Sequence, residues 1–163
     1  MAFDCFLQID EIEGESTDSK HENWIELLSF THGLSQTAGG GGRSASAGAG
    51  GRADHQDMTI TKYLDKATPK IAEALCKGTP IAKVTLALHR AGGEKAKYTE
   101  YVMENVFITS QSIGANPQAD DLVPVENISF NYSKIKLTYT EFHHETQDSK
   151  GDIIWDADLA TNT

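Results

Sequence analysis

Residues 126–140 read Glu-Asn-Ile-Ser-Phe-Asn-Tyr-Ser-Lys-Ile-Lys-Leu-Thr-Tyr-Thr. Ile128, Phe130 and Tyr132 fall on one face of an extended chain, because successive side chains of a strand point to opposite sides. Ile135, Leu137 and Tyr139 have the opposite parity. A strand whose apolar face switches partway along needs a bulge or a corner, the device that curves a sheet into a barrel.

Period-two alternation continues on both sides of this stretch. Phe3, Cys5, Leu7 and Ile9 alternate with Asp4, Gln8 and Asp10. Residues 24–34 are β-type again, with Gly33 at an expected bulge or bend. Met58, Ile60 and Tyr63 mark a strand, as do Val84, Leu86 and Leu88, the long run from Tyr98 to Ile113, and a short one from Ile153 to Trp155. Gly92-Gly93 marks a turn. One helix interrupts the pattern. Thr68 is its expected N-cap, Pro69 suits the first position, and Gly78 suits a left-handed C-terminal cap. Ile71, Ala72, Leu75 and Cys76 are its expected docking face. Half of the fourteen glycines lie between Gly39 and Gly51 among Ala and Ser, a composition too costly in entropy to order alone. The reading is mainly β: a small antiparallel β-barrel, or two packed sheets, with one short flanking α-helix and a long Gly-rich loop. It forms one domain over residues 1–163, with a flexible loop at about 38–53 and a loose tail at about 158–163.

Charge narrows the function. The chain carries 24 acids against 14 Lys and Arg, a net charge of −10. Residues 1–26 hold eight of the acids and residues 141–163 six, with a single Lys in each segment. With no basic stripe to neutralise phosphates, nucleic acid is excluded as a partner, and so is an anionic membrane surface. No apolar run approaches a membrane span, and no basic segment precedes an apolar one at the N-terminus. The chain is expected to fold in the cytoplasm and to leave, if it leaves, without a cleaved signal. Cys5 and Cys76 are expected as two free, buried thiols in a reducing compartment.

Catalytic chemistry finds no foothold. His143-His144-Glu145 is the one histidine cluster, and neighbouring strand residues point apart, so a polar strand end is favoured over a metal site. Gly42-Arg43-Ser44 lacks the lysine of a phosphate-binding loop. Asp120-Asp121 beside Pro117 reads as a turn. No nucleophile with a paired base is found, so no enzymatic activity and no cofactor or metal are expected.

Met1-Ala2-Phe3-Asp4-Cys5-Phe6-Leu7-Gln8-Ile9, then Gly14-Glu15-Ser16, Gly33-Leu34-Ser35-Gln36, the Gly-rich stretch and Thr61-Lys62-Tyr63-Leu64-Asp65-Lys66-Ala67-Thr68-Pro69 resemble the haemolysin-coregulated protein (Hcp) family of type VI secretion. Lys83-Val84-Thr85-Leu86, Arg90-Ala91-Gly92-Gly93, Glu126-Asn127-Ile128-Ser129-Phe130 and Trp155 continue the resemblance in order. His32 stands where the family tends to carry an aromatic residue before Gly33. The resemblance implies a tube subunit: hexameric rings that stack inside a contractile sheath and are expelled with a spike protein. The sheath, the spike, the baseplate and small effectors in the lumen are the implied partners. The bacterial cytoplasm before firing, then the medium or a target cell, are the implied locations. Thr31 and Asn116 are lumen candidates by position in the family pattern, with a turn cap as the plain alternative. Gly39, Gly40, Gly41, Gly42, Arg43, Lys62 and Tyr63 are subunit-contact candidates; ordinary strand packing is the alternative for the last two. A secreted adhesin or pilin-like subunit and a monomeric ligand-binding barrel are the competing readings.

Overall fold

The computed structural model describes residues 3–36, 52–90, 96–118, 123–142 and 149–161. Along the chain these form β1 (Phe3–Ile9), β2 (Ile25–Glu26), β3 (Ser29–Thr31), β4 (Leu34–Ser35), β5 (Asp54–His55), β6 (Met58–Tyr63), α1 (Thr68–Lys77), β7 (Ile81–Arg90), β8 (Lys97–Gly114), β9 (Val125–Phe142) and β10 (Ser149–Asp158). The main sheet is antiparallel in the order β2-β1-β7-β8-β9-β6-β3, with β10 also paired to β9; β4 and β5 form a separate two-stranded ribbon. The single strand expected over 24–34 is thus three short ones.

The division between β2 and β3 closes the barrel. These strands end the sheet order on opposite sides, yet only Leu27 and Leu28 separate them in the chain. The Leu27 N–H donates to Cys5 O on β1 at 3.0 Å, and the Leu28 N–H donates to Thr61 O on β6 at 2.8 Å. One short segment therefore hands its hydrogen bonds from one edge to the other, which removes both edges there. The interior is filled by Leu7, Ile25, Met58, Ile60, Leu86, Met103, Ile128 and Phe130, all fully buried. A ligand-binding barrel would hold a cavity in that space.

The parity switch in β9 is a corner, and it is matched in the neighbouring strands. Tyr132 and Ile135 are both buried while Lys134 between them is exposed. Opposite them Val106 and Met103 are buried and Glu104 and Asn105 exposed, with the register unbroken from Met103↔Ile135 to Ile108↔Phe130. Asn105 takes φ 51°, a left-handed conformation that asparagine tolerates. On β7 the same line passes through exposed Ala82 and Lys83. Three strands bend together, so the register continues across the corner, with the pairing interrupted only at Asn105. The register shift in β8 lies elsewhere, between Ile108 and Ser110.

The helix ends where Gly78 takes φ 62°, as expected, but its start differs. Ala67 is the N-cap and makes no side-chain cap. Asp65 does that work: its Oδ1 accepts the Ala67 N–H at 2.9 Å, while Thr68 Oγ1 accepts the Asp65 N–H at 3.2 Å. The docking face also shifts. Ile71 is buried, and Ala74 and Leu75 pack on the core. Cys76 is exposed, against expectation, because five residues of helix turn it about 140° from Ile71. Cys5 is buried, and burial pushes its thiol up to about 12.

β7 is covered on its outer face too. His21 stacks on Phe6 with centroids 4.5 Å apart, and its Nε2 lies 3.0 Å from Nε2 of His89. Trp24 meets His21 edge-on. Gly14 permits this crossing, since a Cβ there would lie 2.4 Å from Trp24 O. At the other terminus the chain is held beyond Asp158: the Leu159 N–H donates to Ser133 O at 2.8 Å. The tail expected to be loose from about residue 158 is thus held at Leu159, which also packs on the core.

Candidate functional site

Strand register aligns three rows of side chains on the inner face of the sheet. They run Ile9–Val84–Met103–Ile135–Ala157, Leu7–Leu86–Tyr101–Leu137–Trp155 and Cys5–Leu88–Thr99–Tyr139–Ile153 across β1, β7, β8, β9 and β10. The first row is buried or packed against the core along its length. In the second, Leu7 and Leu86 are fully buried, Tyr101 and Leu137 half-buried, and Trp155 is 37% exposed. In the third, Cys5 and Leu88 are buried, while Tyr139 is 43% and Ile153 66% exposed. The opposite wall explains the gradient: Phe30 and His32 reach Tyr101, at 6.0 and 5.5 Å between ring centroids, and His55 alone stacks on Trp155.

β10 thus lies at the edge of the described sheet, paired only with β9. Its outward face adds Ile154, 54% exposed. A strand edge with apolar side chains on both faces invites pairing with another chain, and a contiguous apolar patch of this kind marks an interaction surface. Charges flank it on the outer face: Lys134 meets Asp158 at 3.7 Å, and Lys136 stands opposite Asp156 in the register.

A second feature lies at the other end of the barrel, where β6 meets α1. Lys62 and Glu126 are both 0% exposed and form an ion pair. The Lys62 ammonium also donates to Asp65 Oδ1 at 2.7 Å and to Tyr63 O at 3.0 Å. Glu126 further accepts from Thr68 Oγ1 at 2.8 Å and from Gln111 Nε2 at 2.9 Å. A buried charge pair persists only when its remaining donors and acceptors are met in this way. The network ties the start of α1 to β6, β8 and β9. Lys62 consequently has no side-chain surface to offer a neighbouring subunit: a strand lysine reads as a surface charge until its acidic partner, distant in sequence, is placed beside it. Tyr63 next to it is 45% exposed.

The other candidates are scattered. Thr31 is exposed on β3, paired with Thr59. Asn116 lies in an exposed turn, where its Oδ1 accepts the Gln118 N–H at 3.0 Å. Gly39, Gly40, Gly41, Gly42 and Arg43 lie outside the described residues, as do Gly92-Gly93, Asp120-Asp121 and His143-His144-Glu145. Among the described residues, no three His, Cys, Asp or Glu side chains converge as metal ligands, and no helix is long and apolar enough to cross a membrane.

Residues 6–139 match the family model for the type VI secretion system effector Hcp. The chain belongs to the Hcp family. Over 140 residues it is 32% identical to protein hcp1 of Pseudomonas aeruginosa, covering 85% of this chain and 84% of that one. The major exported protein of the same organism is 25% identical over 154 residues, 90% of this chain and 84% of that one. Among solved structures, one described as a type six secretion system protein aligns over 99% of both chains at 30% identity, with a TM-score of 0.89. The crystal structure of Hcp1 from Salmonella typhimurium aligns over 99% of this chain and 98% of that one at 27% identity, with a TM-score of 0.79.

In this Hcp-family chain, half-buried Leu137 and exposed Tyr139, Ile153 and Ile154 were not singled out as a surface by sequence reasoning. Alternation shows that Leu137 and Tyr139 share a face, but nothing local shows that the wall opposite stops short of them.

Proposed function

We propose that this chain is the tube subunit of a type VI secretion apparatus: hexameric rings of it stack into a tube that sheath contraction expels with its spike. The role is structural rather than catalytic. The observation that carries the reading is the uncovered apolar edge at β9 and β10 on a chain that matches the Hcp fold over nearly its whole length. A closed ring needs a heterologous contact, one surface meeting a different surface of the next copy. A strand edge with Ile153, Ile154 and Trp155 exposed supplies one half of such a contact. The other half is proposed to include Tyr63 and the Gly-rich segment with Gly39, Gly40, Gly41, Gly42 and Arg43. Thr31 and Asn116 are proposed to face the lumen and small effectors. Folding in the cytoplasm precedes export without a cleaved signal, with the sheath and baseplate as further partners.

Light scattering after size exclusion, with negative-stain electron microscopy on the same sample, tests the reading. Hexamer mass and six-fold rings with an open centre are expected. A monomer at every concentration up to the solubility limit would overturn self-assembly of the chain alone.

A further inference from the structure

Among the described residues, the β4–β5 ribbon has two register pairs, Leu34↔His55 and Ser35↔Asp54, and a further backbone bond from Gln56 N–H to Gly33 O at 3.0 Å. A two-stranded ribbon this short does not hold by itself in water. Its anchorage on the main sheet converges on one hydroxyl. Tyr132 Oη, on β9, lies 2.6 Å from Nε2 of His32, 3.3 Å from Nδ1 of His55 and 3.4 Å from Gln56 O. These three groups flank both legs of the ribbon. His55 also stacks on Trp155 of β10, with ring planes 8° apart, and Arg52 donates to Leu159 O at 2.6 Å.

One phenol has one proton to give. Gln56 O can only accept. The contact to Gln56 O is the longest of the three; with the phenol proton directed to Nε2 of His32, Tyr132 accepts from the Nδ1–H of His55. That arrangement requires a neutral His32 with its proton on Nδ1. We propose that Tyr132, His32 and His55 form a proton-sensitive latch that holds the β4–β5 ribbon on the barrel near neutral pH and releases it in acid.

The surroundings support the direction. From β8 the ring of Tyr101 packs edge-on against His32, and among the described residues no carboxylate bonds to His32. Tyr132 keeps its proton, since burial, with the Asp57 charge second, pushes it up to about 12. Asp57 itself is held by Thr109 and Asn131. Arg52, Asp54, Asp156 and Asp158 line the cleft beside His55. Burial, and then the nearby His55, hold His32 below the ordinary histidine value. A depressed folded-state value means that the folded form binds fewer protons than the unfolded one. The latch therefore contributes fully above about pH 6.5 and weakens as pH falls below it.

Amide hydrogen exchange on the full chain tests this. Exchange at Gln56 and His55 is compared with that at Leu88 in the same sample, at pH 7.5 and pH 5.0, after correction for intrinsic rates. In the unaltered chain, ribbon protection relative to Leu88 should fall severalfold in acid, in the direction set by the depressed His32 value. His32→Gln should remove most of that pH dependence. Tyr132→Phe should lower ribbon protection already at pH 7.5. An unaltered ratio between the two pH values overturns the latch, and so does a fall of equal size in His32→Gln. Should Tyr132→Phe fail to fold, the half-buried His32 site decides alone. The comparison is made on a monomeric fraction, because the ribbon touches Trp155 of the proposed ring contact.

Discussion

β7 and β10 are both ten-residue antiparallel strands of one sheet, and both carry apolar residues on their inner faces. They flank the β8–β9 pair from opposite sides, yet their environments are opposite. From Val84 to His89 every residue of β7 is buried, because the barrel wall covers one face and the Phe6–His21–Trp24 cluster covers the other. On β10, Ile153 and Ile154 are more than half exposed on successive faces. Sequence pattern does not separate the two strands. Cover separates them, and β10's cover is absent from the chain's own described residues. A strand that is β-forming and apolar but uncovered is the surface on which the proposed ring contact would form.

The contrast can be broken most sharply at neighbouring rows. Leu86→Ala on β7 should cost about 2–5 kcal/mol in urea unfolding, the usual effect of a cavity in a packed core. Ile153→Ala on β10 should stay within about 0.5 kcal/mol in a monomeric sample, as surface substitutions do. Equal costs would show that β10 already has its cover within the chain. Next in size is assembly. Trp155→Ala should weaken ring formation by about 2 kcal/mol, the scale of a central aromatic contact, seen as a roughly thirty-fold higher protein concentration at half-assembly. Normal rings from Ile153→Asp and Trp155→Ala together would move the interface elsewhere.

The smallest effect sharpens the comparison without disturbing the fold. Cys5 pairs with Leu88 on the covered side, and Cys76 is exposed on α1. A thiol reagent at pH 8 should modify exposed Cys76 promptly and buried Cys5 only as fast as the chain opens. Stability should change by no more than a few tenths of a kcal/mol on modification of Cys76. Prompt modification of both would mean that the β1–β7 side opens far more readily than its burial indicates.

Much of the architecture was legible before any contact was known. The alternation in Phe3–Ile9, Met58–Tyr63 and Val84–Leu88, the parity switch after Tyr132 and the stop at Gly78 all survive as strands, a corner and a helix end. These follow from the geometry of a single segment. The helix start was misjudged at Thr68 because its hydroxyl serves Asp65 and Glu126 and leaves its own helix uncapped. The burial of Cys76 was misjudged because four apolar positions leave the centre of the docking face open by a turn. The candidate surface was only partly readable: Lys62 stood out for its place in the resemblance, but its role inside the chain needed Glu126 beside it.

The sequence by itself determined which residues could share a face, where the helix stops, and membership in a family whose pattern spans almost the whole chain. The tertiary structure decided closure of the barrel through Leu27 and Leu28, burial of Lys62 with Glu126, the gathering of His32 and His55 around Tyr132, and exposure of β10. The division has one physical cause. Periodicity is set by local backbone geometry and belongs to a single segment. Burial, ion pairing and proton affinity depend on what packs opposite, and that is fixed only when distant segments meet.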